Sequence, residues 1–224
     1  MNNYIEIKKL SKSYYDQKKV SVLKNLNFKF KKGKIYSLVG PSGSGKSTLL
    51  NILSLIDRPT SGSLLVDNKK IDHNDIEAND KLRSGNFGII YQEKNLLSDF
   101  TAIENISLAA IANGKTQDES TKIAEKILHQ LKLSKRSNHF PKQLSGGENQ
   151  RIAIGRAIIN SPNIIIADEP SGNLDHNSAK EFFKMLFNLK SKNRMIIYAT
   201  HNRYFANLAD CRLQLINGKL KSIN

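Results

Sequence analysis

The chain has 224 residues, 39% of them apolar, which suits one domain with a sizeable core. It holds no run of about 18 apolar residues and opens Met1-Asn2-Asn3-Tyr4-Ile5-Glu6, so neither a membrane span nor a secretion signal is expected. One cysteine, Cys211, excludes an intrachain disulfide and reads as a small buried thiol, and the net charge of +15 is scattered in lysine pairs (Lys8-Lys9, Lys18-Lys19, Lys31-Lys32, Lys69-Lys70) without a basic helix, so a solvated surface is expected, with weak attraction to acidic lipid headgroups as the alternative, rather than a nucleic-acid interface.

Residues 4–7 and 20–30 alternate loosely and carry β-formers, which predicts strands. Lys31-Lys32-Gly33-Lys34 reads as a turn. Ile35-Tyr36-Ser37-Leu38-Val39 predicts a short buried strand, and a helix is predicted over 48–56, stopped by Asp57-Arg58-Pro59. Residues 63–66 and 87–91 read as further strands. From 102 to 159 the pattern turns helical; Ile123, Ile127, Leu128 and Leu131 follow the helical repeat within 119–131. Strands return over 163–167, 195–199 and 213–216, with a helix over 178–189 between the first two. Such alternation implies an α/β core with a mainly parallel sheet and right-handed crossovers, interrupted by a helical insertion.

Between the buried strand and the first helix lies Gly40-Pro41-Ser42-Gly43-Ser44-Gly45-Lys46-Ser47-Thr48. Gly40 to Ser47 fits G-x-x-x-x-G-K-S/T in the strand-to-helix context that gives the pattern its meaning. Glycines let backbone N–H groups wrap phosphate oxygens at a helix N-terminus. Lys46 is assigned to the β- and γ-phosphates and Ser47 to Mg²⁺. Further along, the apolar run Ile164-Ile165-Ile166-Ala167 ends in Asp168-Glu169-Pro170. Asp168 at a strand's carboxyl end is expected to hold Mg²⁺, directly or through water, and Glu169 is assigned as the general base that polarises the attacking water.

A second glycine cradle, Leu144-Ser145-Gly146-Gly147-Glu148, precedes a helix predicted over 149–159. Ser145 is a good N-cap, and Gly146 and Gly147 leave N–H groups open to an anion. With no lysine and no metal ligand, this cradle does not hold ATP alone.

At these residues the chain resembles the ATP-binding cassette (ABC) transporter ATPases over nearly its whole length. Tyr91-Gln92 matches the family's glutamine loop, Ser171-Gly172-Asn173-Leu174-Asp175 the loop after the catalytic acid, Thr200-His201 the switch histidine, and Tyr14 the aromatic that stacks on adenine, with Tyr15 as a fallback. The resemblance implies one ABC ATPase domain: a P-loop (RecA-like) nucleotide-binding core from about 1–92 and 160–224, an N-terminal antiparallel β subdomain, and a helical subdomain over 93–159. It implies two cassettes paired head to tail, with each ATP between the first cradle of one copy and Ser145-Gly146-Gly147 of the other. Gln92 then senses the metal and faces a permease, His201 aligns water with Glu169, and Asp175 joins the nucleotide contacts.

Within the family, Gly88-Ile89-Ile90-Tyr91-Gln92 and the run Leu96-Leu97-Ser98-Asp99-Phe100-Thr101 look like the ATPase subunit of bacterial lipoprotein-releasing complexes. Macrolide-exporter and cell-division ATPases are similar, and a nucleotide-gated scaffold is a further alternative. What this implies is a peripheral subunit on the cytoplasmic face of the bacterial inner membrane, partnered by integral permease subunits. Glu148, Asn149, Gly155 and Asn202 depart from the usual residues, which are glutamine, arginine, alanine and aspartate; Gly155 is expected to cost up to about 1 kcal/mol of helix stability.

Overall fold

The computed structural model describes residues 3–15, 18–91, 95–172 and 174–223. Two long strands, β1 (Asn3–Tyr15) and β2 (Lys19–Lys31), open the chain as an antiparallel pair. Strand β3 (Ile35–Val39) runs into helix α1 (Lys46–Leu53). Strands β4 (Ser61–Val66) and β5 (Lys69–Lys70) complete an antiparallel sheet in the order β2-β1-β4-β5. Helix α2 (Ile76–Asn86) leads into β6 (Phe87–Ile90), followed by α3 (Ala102–Ile111), α4 (Gln117–Gln130) and α5 (Gly146–Ile158). The chain then returns through β7 (Ile164–Asp168), α6 (His176–Asn188), β8 (Met195–Ala199), the short α7 (Arg203–Ala206), β9 (Cys211–Ile216) and β10 (Lys219–Ile223). The second sheet has the order β10-β9-β3-β8-β7-β6, parallel throughout except for β10. An α/β core, an antiparallel unit at the N-terminus and a helical insertion are the architecture implied by the sequence.

Strands β3, β7 and β8 are apolar apart from Ser37 and the terminal Asp168, because both of their faces are covered. Alternate residues enter different cores. Tyr36, Leu38, Ile164, Ile166, Met195 and Ile197 pack with α1 and the antiparallel sheet. Ile35, Ile165, Ala167, Ile196 and Tyr198 pack with α3, α5 and α6. This accounts for why the expected bounds of β3 and β8 coincide with those observed.

Helix α1 stops at Leu53, three residues short of the expected end, without needing Pro59. Leu55 takes φ +62°, its N–H reaches Ile52 O and the Ile56 N–H reaches Asn51 O. This is a Schellman closure with leucine in the position glycine usually holds, so the sequence carries no visible stop there. Helix α2 was not foreseen; none of its residues is fully buried, so no apolar stripe marks it. Cys211, expected to be buried, is only partly so, and its Sγ lies 3.6 Å from Ser222 Oγ. Among the described residues no helix is long and apolar enough to cross a membrane.

Helices α3, α4 and α5 each begin with a capping box: Thr101 with Glu104, Thr116 with Glu119, and Ser145 with Glu148. Gly155 lies where α5 crosses α3 and α4. A Cβ there would come 2.8 Å from Ile106 Cδ1, 3.0 Å from Ile127 Cγ2 and 3.1 Å from Leu131 Cδ1. The glycine is therefore a packing solution for three large neighbours. Gly155→Ala alone is expected to lower Tm, because overpacking by about 1–3 kcal/mol exceeds a propensity gain of about 1 kcal/mol. Adding Ile106→Val makes room, and differential scanning calorimetry is expected to show the double variant melting above Ile106→Val alone, at about 2–4 °C per kcal/mol.

Candidate active site

Strands β3, β8 and β7 are neighbours, and their carboxyl ends release three loops at one level. Ala199 pairs with Leu38 on one side and Asp168 on the other. The phosphate-cradle loop, the Asp168-Glu169 pair and Thr200-His201 thus emerge side by side.

Gly45, at φ +99°, is the N-cap of α1, and a Cβ there would lie 2.7 Å from Val22 Cγ1. Gly40 lets the Leu215 carbonyl approach to 2.3 Å from where a Cβ would sit. Lys46 is only 8% exposed; its Nζ donates to the carbonyls of Gly40 at 3.0 Å and Pro41 at 3.2 Å, and lies 3.9 Å from Glu169 Oε1. Ser42, Gly43, Gly45, Lys46, Ser47 and Thr48 line a cleft of about 460 Å³ together with Glu169, His201 and Val22. Gly40 and Pro41 line the adjoining hollow on the other side of His201, and the Ser44 hydroxyl is buried without a hydrogen-bond partner.

Burial pushes the Asp168 carboxyl above its usual range; a hydrogen bond from Ser47 opposes this, the Glu169 charge reinforces it and Lys46 opposes it. Its Oδ1 is buried with no hydrogen-bond partner. An orphaned carboxylate oxygen beside a hydroxyl fits a hard cation that takes oxygen ligands. Ser47 and Asp168 therefore suit Mg²⁺; Gln92, the third expected ligand, lies outside the described residues. Among the described residues no group of three or more His, Cys, Asp or Glu side chains gathers, and Mg²⁺ held by one carboxylate, a hydroxyl and phosphate oxygens needs none.

Glu169 adopts φ +42°, strained for a non-glycine residue. Its N–H reaches Ala199 O at 3.2 Å, and its Oε2 accepts from the His201 N–H at 3.2 Å. Oε2 also lies 2.9 Å from His201 Nδ1. With Nδ1–H donating to the carboxylate, the neutral ring keeps Nε2 as an acceptor. Glu169 and His201, two of the residues expected for catalysis, are thus in contact.

Leu144 to Glu148 lie elsewhere. The Ser145 hydroxyl accepts the Glu148 N–H at 3.2 Å, and Glu148 Oε2 accepts the Ser145 N–H at 2.8 Å. Those bonds depress the Glu148 carboxyl, chiefly the one from the Ser145 backbone. Ser145, Gly146, Gly147, Gln150 and Asp175 border a cleft of about 310 Å³ that shares no residue with the first. Asp175 is also the N-cap of α6, accepting from the N–H groups of Asn177 at 3.0 Å and Ser178 at 3.1 Å. Tyr14 does not border the first cleft; the residue is 43% exposed and its hydroxyl donates to Asp57 Oδ2 at 2.9 Å. Tyr15 is 70% exposed. Sequence reasoning missed Val22 and Gln150. Only a polar residue on the inward face of α5 signalled the second.

The ABC transporter family matches residues 23–172. The chain is 41% identical to the lipoprotein-releasing system ATP-binding protein LolD of Rickettsia bellii, over 98% of each chain. It is 41% identical to the macrolide export ATP-binding/permease protein MacB of Mannheimia succiniciproducens, over 97% of this chain and 34% of that one. The bacterial ABC transporter cassette MJ0796, solved as a dimer, superposes with a TM-score of 0.89 at 34% identity, covering 98% of this chain and 99% of that one. A second dimeric structure of that cassette, bound to ADP and Pi, matches equally well.

Since the folded Asp168 carboxyl holds its proton more tightly than the unfolded one, it destabilises the fold as pH rises above its unfolded value. Asp168→Asn should therefore melt higher than the parent near neutral pH in EDTA, and the gap should close toward pH 4. Thermal melts across pH measure this directly.

Proposed function

The chain belongs to the ABC transporter ATPase family, and on that premise we propose that it is the ATP-hydrolysing subunit of a membrane transporter, two copies of which close around two ATP molecules. The observation that carries this reading is the division of phosphate-binding elements between two separate clefts of one chain. The first has lysine, metal ligands and base; the second has a helix N-terminus with free glycine N–H groups. A second copy would unite them, and the solved cassette similar to this chain is dimeric.

In this reading Gly40 to Thr48 cradle the phosphates and Lys46 exchanges its loop carbonyls for β- and γ-oxygens. Mg²⁺, when bound at Ser47, Asp168 and Gln92, neutralises phosphate charge. Glu169 takes a proton as a water oxygen bonds to the γ-phosphorus, and the bond to the ADP oxygen breaks. His201 keeps the carboxylate aimed, and a ring that carries both protons can also donate from Nε2–H to the departing phosphate. Leu144 to Glu148 and Asp175 complete the site from the partner copy, Tyr14 stacks on the adenine, and residues 93–159 form the helical unit that carries the second cradle. Moving the dimer from 1:99 to 99:1 closed takes about 5.5 kcal/mol, or under about 3 from each nucleotide.

The LolD relatives, about as long as this chain, support a peripheral subunit on the inner face of a bacterial membrane, bound to permease subunits that release lipoproteins. MacB supports a runner-up, a macrolide-exporter-type complex. Mass spectrometry of membrane proteins that copurify with the chain separates the two.

Glu169→Gln is expected to lower ATP turnover by about 10²-fold or more while retaining ATP binding, and to run as an ATP-dependent dimer in size-exclusion chromatography with light scattering. Failure of ATP to produce a dimer refutes the composite site. Lys46→Ala is expected to weaken ATP binding by at least about tenfold, measured by titration calorimetry.

A further inference from the structure

Gln150 is a polar side chain that the assigned chemistry does not use. It sits on α5 and is 3% exposed. It borders the second cleft together with Ser145, Gly146 and Gly147. Its Nε2 donates across to the Pro170 carbonyl, while its Oε1 is buried with no partner. Pro170 directly follows Glu169, whose backbone is held at φ +42°. A left-handed non-glycine residue persists only when its surroundings impose it. Here the imposing contacts are the Glu169 N–H to Ala199, the Gly172 N–H to the Glu169 carbonyl at 3.0 Å, and the Gln150 amide.

We propose that Gln150 is a positioning residue that ties the two nucleotide sites of the dimer together, by fastening the helix bearing the second cradle to the turn that aims Glu169. The inference rests on the composite-site reading above. In a closed dimer, α5 of one chain meets the partner's nucleotide, while Glu169 of that same chain faces its own. A shift of α5 on engaging phosphate is passed through the amide to the Pro170 carbonyl and so to the carboxylate. An amide suits this link because it offers a neutral N–H donor of fixed reach to a carbonyl. Methionine has similar length and no donor. Glutamate has similar length and donates only when protonated.

The test uses the full chain and steady-state ATP hydrolysis with Gln150→Met, Gln150→Glu, Ser145→Ala and the pair Ser145→Ala/Gln150→Met. Gln150→Met is expected to lower kcat by about tenfold or more with KM for ATP changed less than about threefold, the signature of a misaimed group rather than lost binding. Relative to the parent, Gln150→Glu is expected to recover rate as pH falls, since a protonated carboxyl restores the donor, while the Gln150→Met ratio stays flat. The double variant is expected to be no more than about threefold slower than the slower single variant, because the two residues act along one path.

A Gln150→Met rate within about twofold of the parent overturns the proposal, as do multiplicative losses in the double variant. Were Gln150→Met to fold poorly, the pH dependence of Gln150→Glu decides: a flat ratio overturns the link. Ser145→Ala at the parental rate overturns the composite site and this link with it, whereas a slow Ser145→Ala beside a fast Gln150→Met refutes the link alone.

Discussion

The Glu169 N–H reaches sideways to the Ala199 carbonyl, and that bond turns a strand end into a site. It extends the β7–β8 ladder by one step while the chain swings to φ +42°. The backbone of Glu169 is thereby held by one strand as its side chain is delivered to the loop following the same strand, where His201 takes it. Such a conformation is uncommon for a non-glycine residue and costs on the order of 1 kcal/mol or more. The parallel register of three buried strands supplies the rigidity that sustains it.

Electrostatics are arranged around the same point. Lys46 is nearly buried, and its ammonium is satisfied by two carbonyls of its own loop rather than by a close carboxylate. Asp168, by contrast, is short of positive charge, as its raised carboxyl and its orphaned oxygen both indicate. A hydrated cation is the compensation this geometry admits, and an oxygen-liganded ion inverts the sign of the local pKa problem. The chain's +15 contributes little here, since its lysines are dispersed over the surface and screened within about 8–10 Å at ordinary salt.

Much of this was legible in the sequence wherever one physical cause dominated. Strands covered on both faces read as unbroken apolar runs, so β3 and β8 matched their expected bounds. The first cradle was legible because a tight turn, a close approach and a lysine must fall at fixed spacing. Helix α2 and strand β10 were not, because both are mostly surface and lack a buried period. The end of α1 was hidden by a leucine doing what glycine usually does. The Gln150 contact joins residues 20 apart through a side chain, and no local pattern encodes such a bond.

Among the residues that depart from the usual family pattern, Glu148 and Asn149 lie at the second cradle and Asn202 follows His201. Glu148 sets a negative charge in the first turn of α5, beside the N–H groups that the proposed dimer would offer to an anion. Alone it would compete with phosphate for the helix N-terminus. Its carboxylate is occupied on one side by the Ser145 N–H, and on the other by Arg136 Nε at 3.0 Å, so the cap is kept while its charge is answered. Asn149 donates to the carbonyls of Pro141 at 2.9 Å and Leu144 at 3.3 Å, fixing the entry to the cradle with a neutral group. Asn202 caps α7 through the Tyr204 N–H at 2.9 Å, as an aspartate would. Three different side chains thus preserve three backbone placements, which is what a site built from N–H groups requires of them.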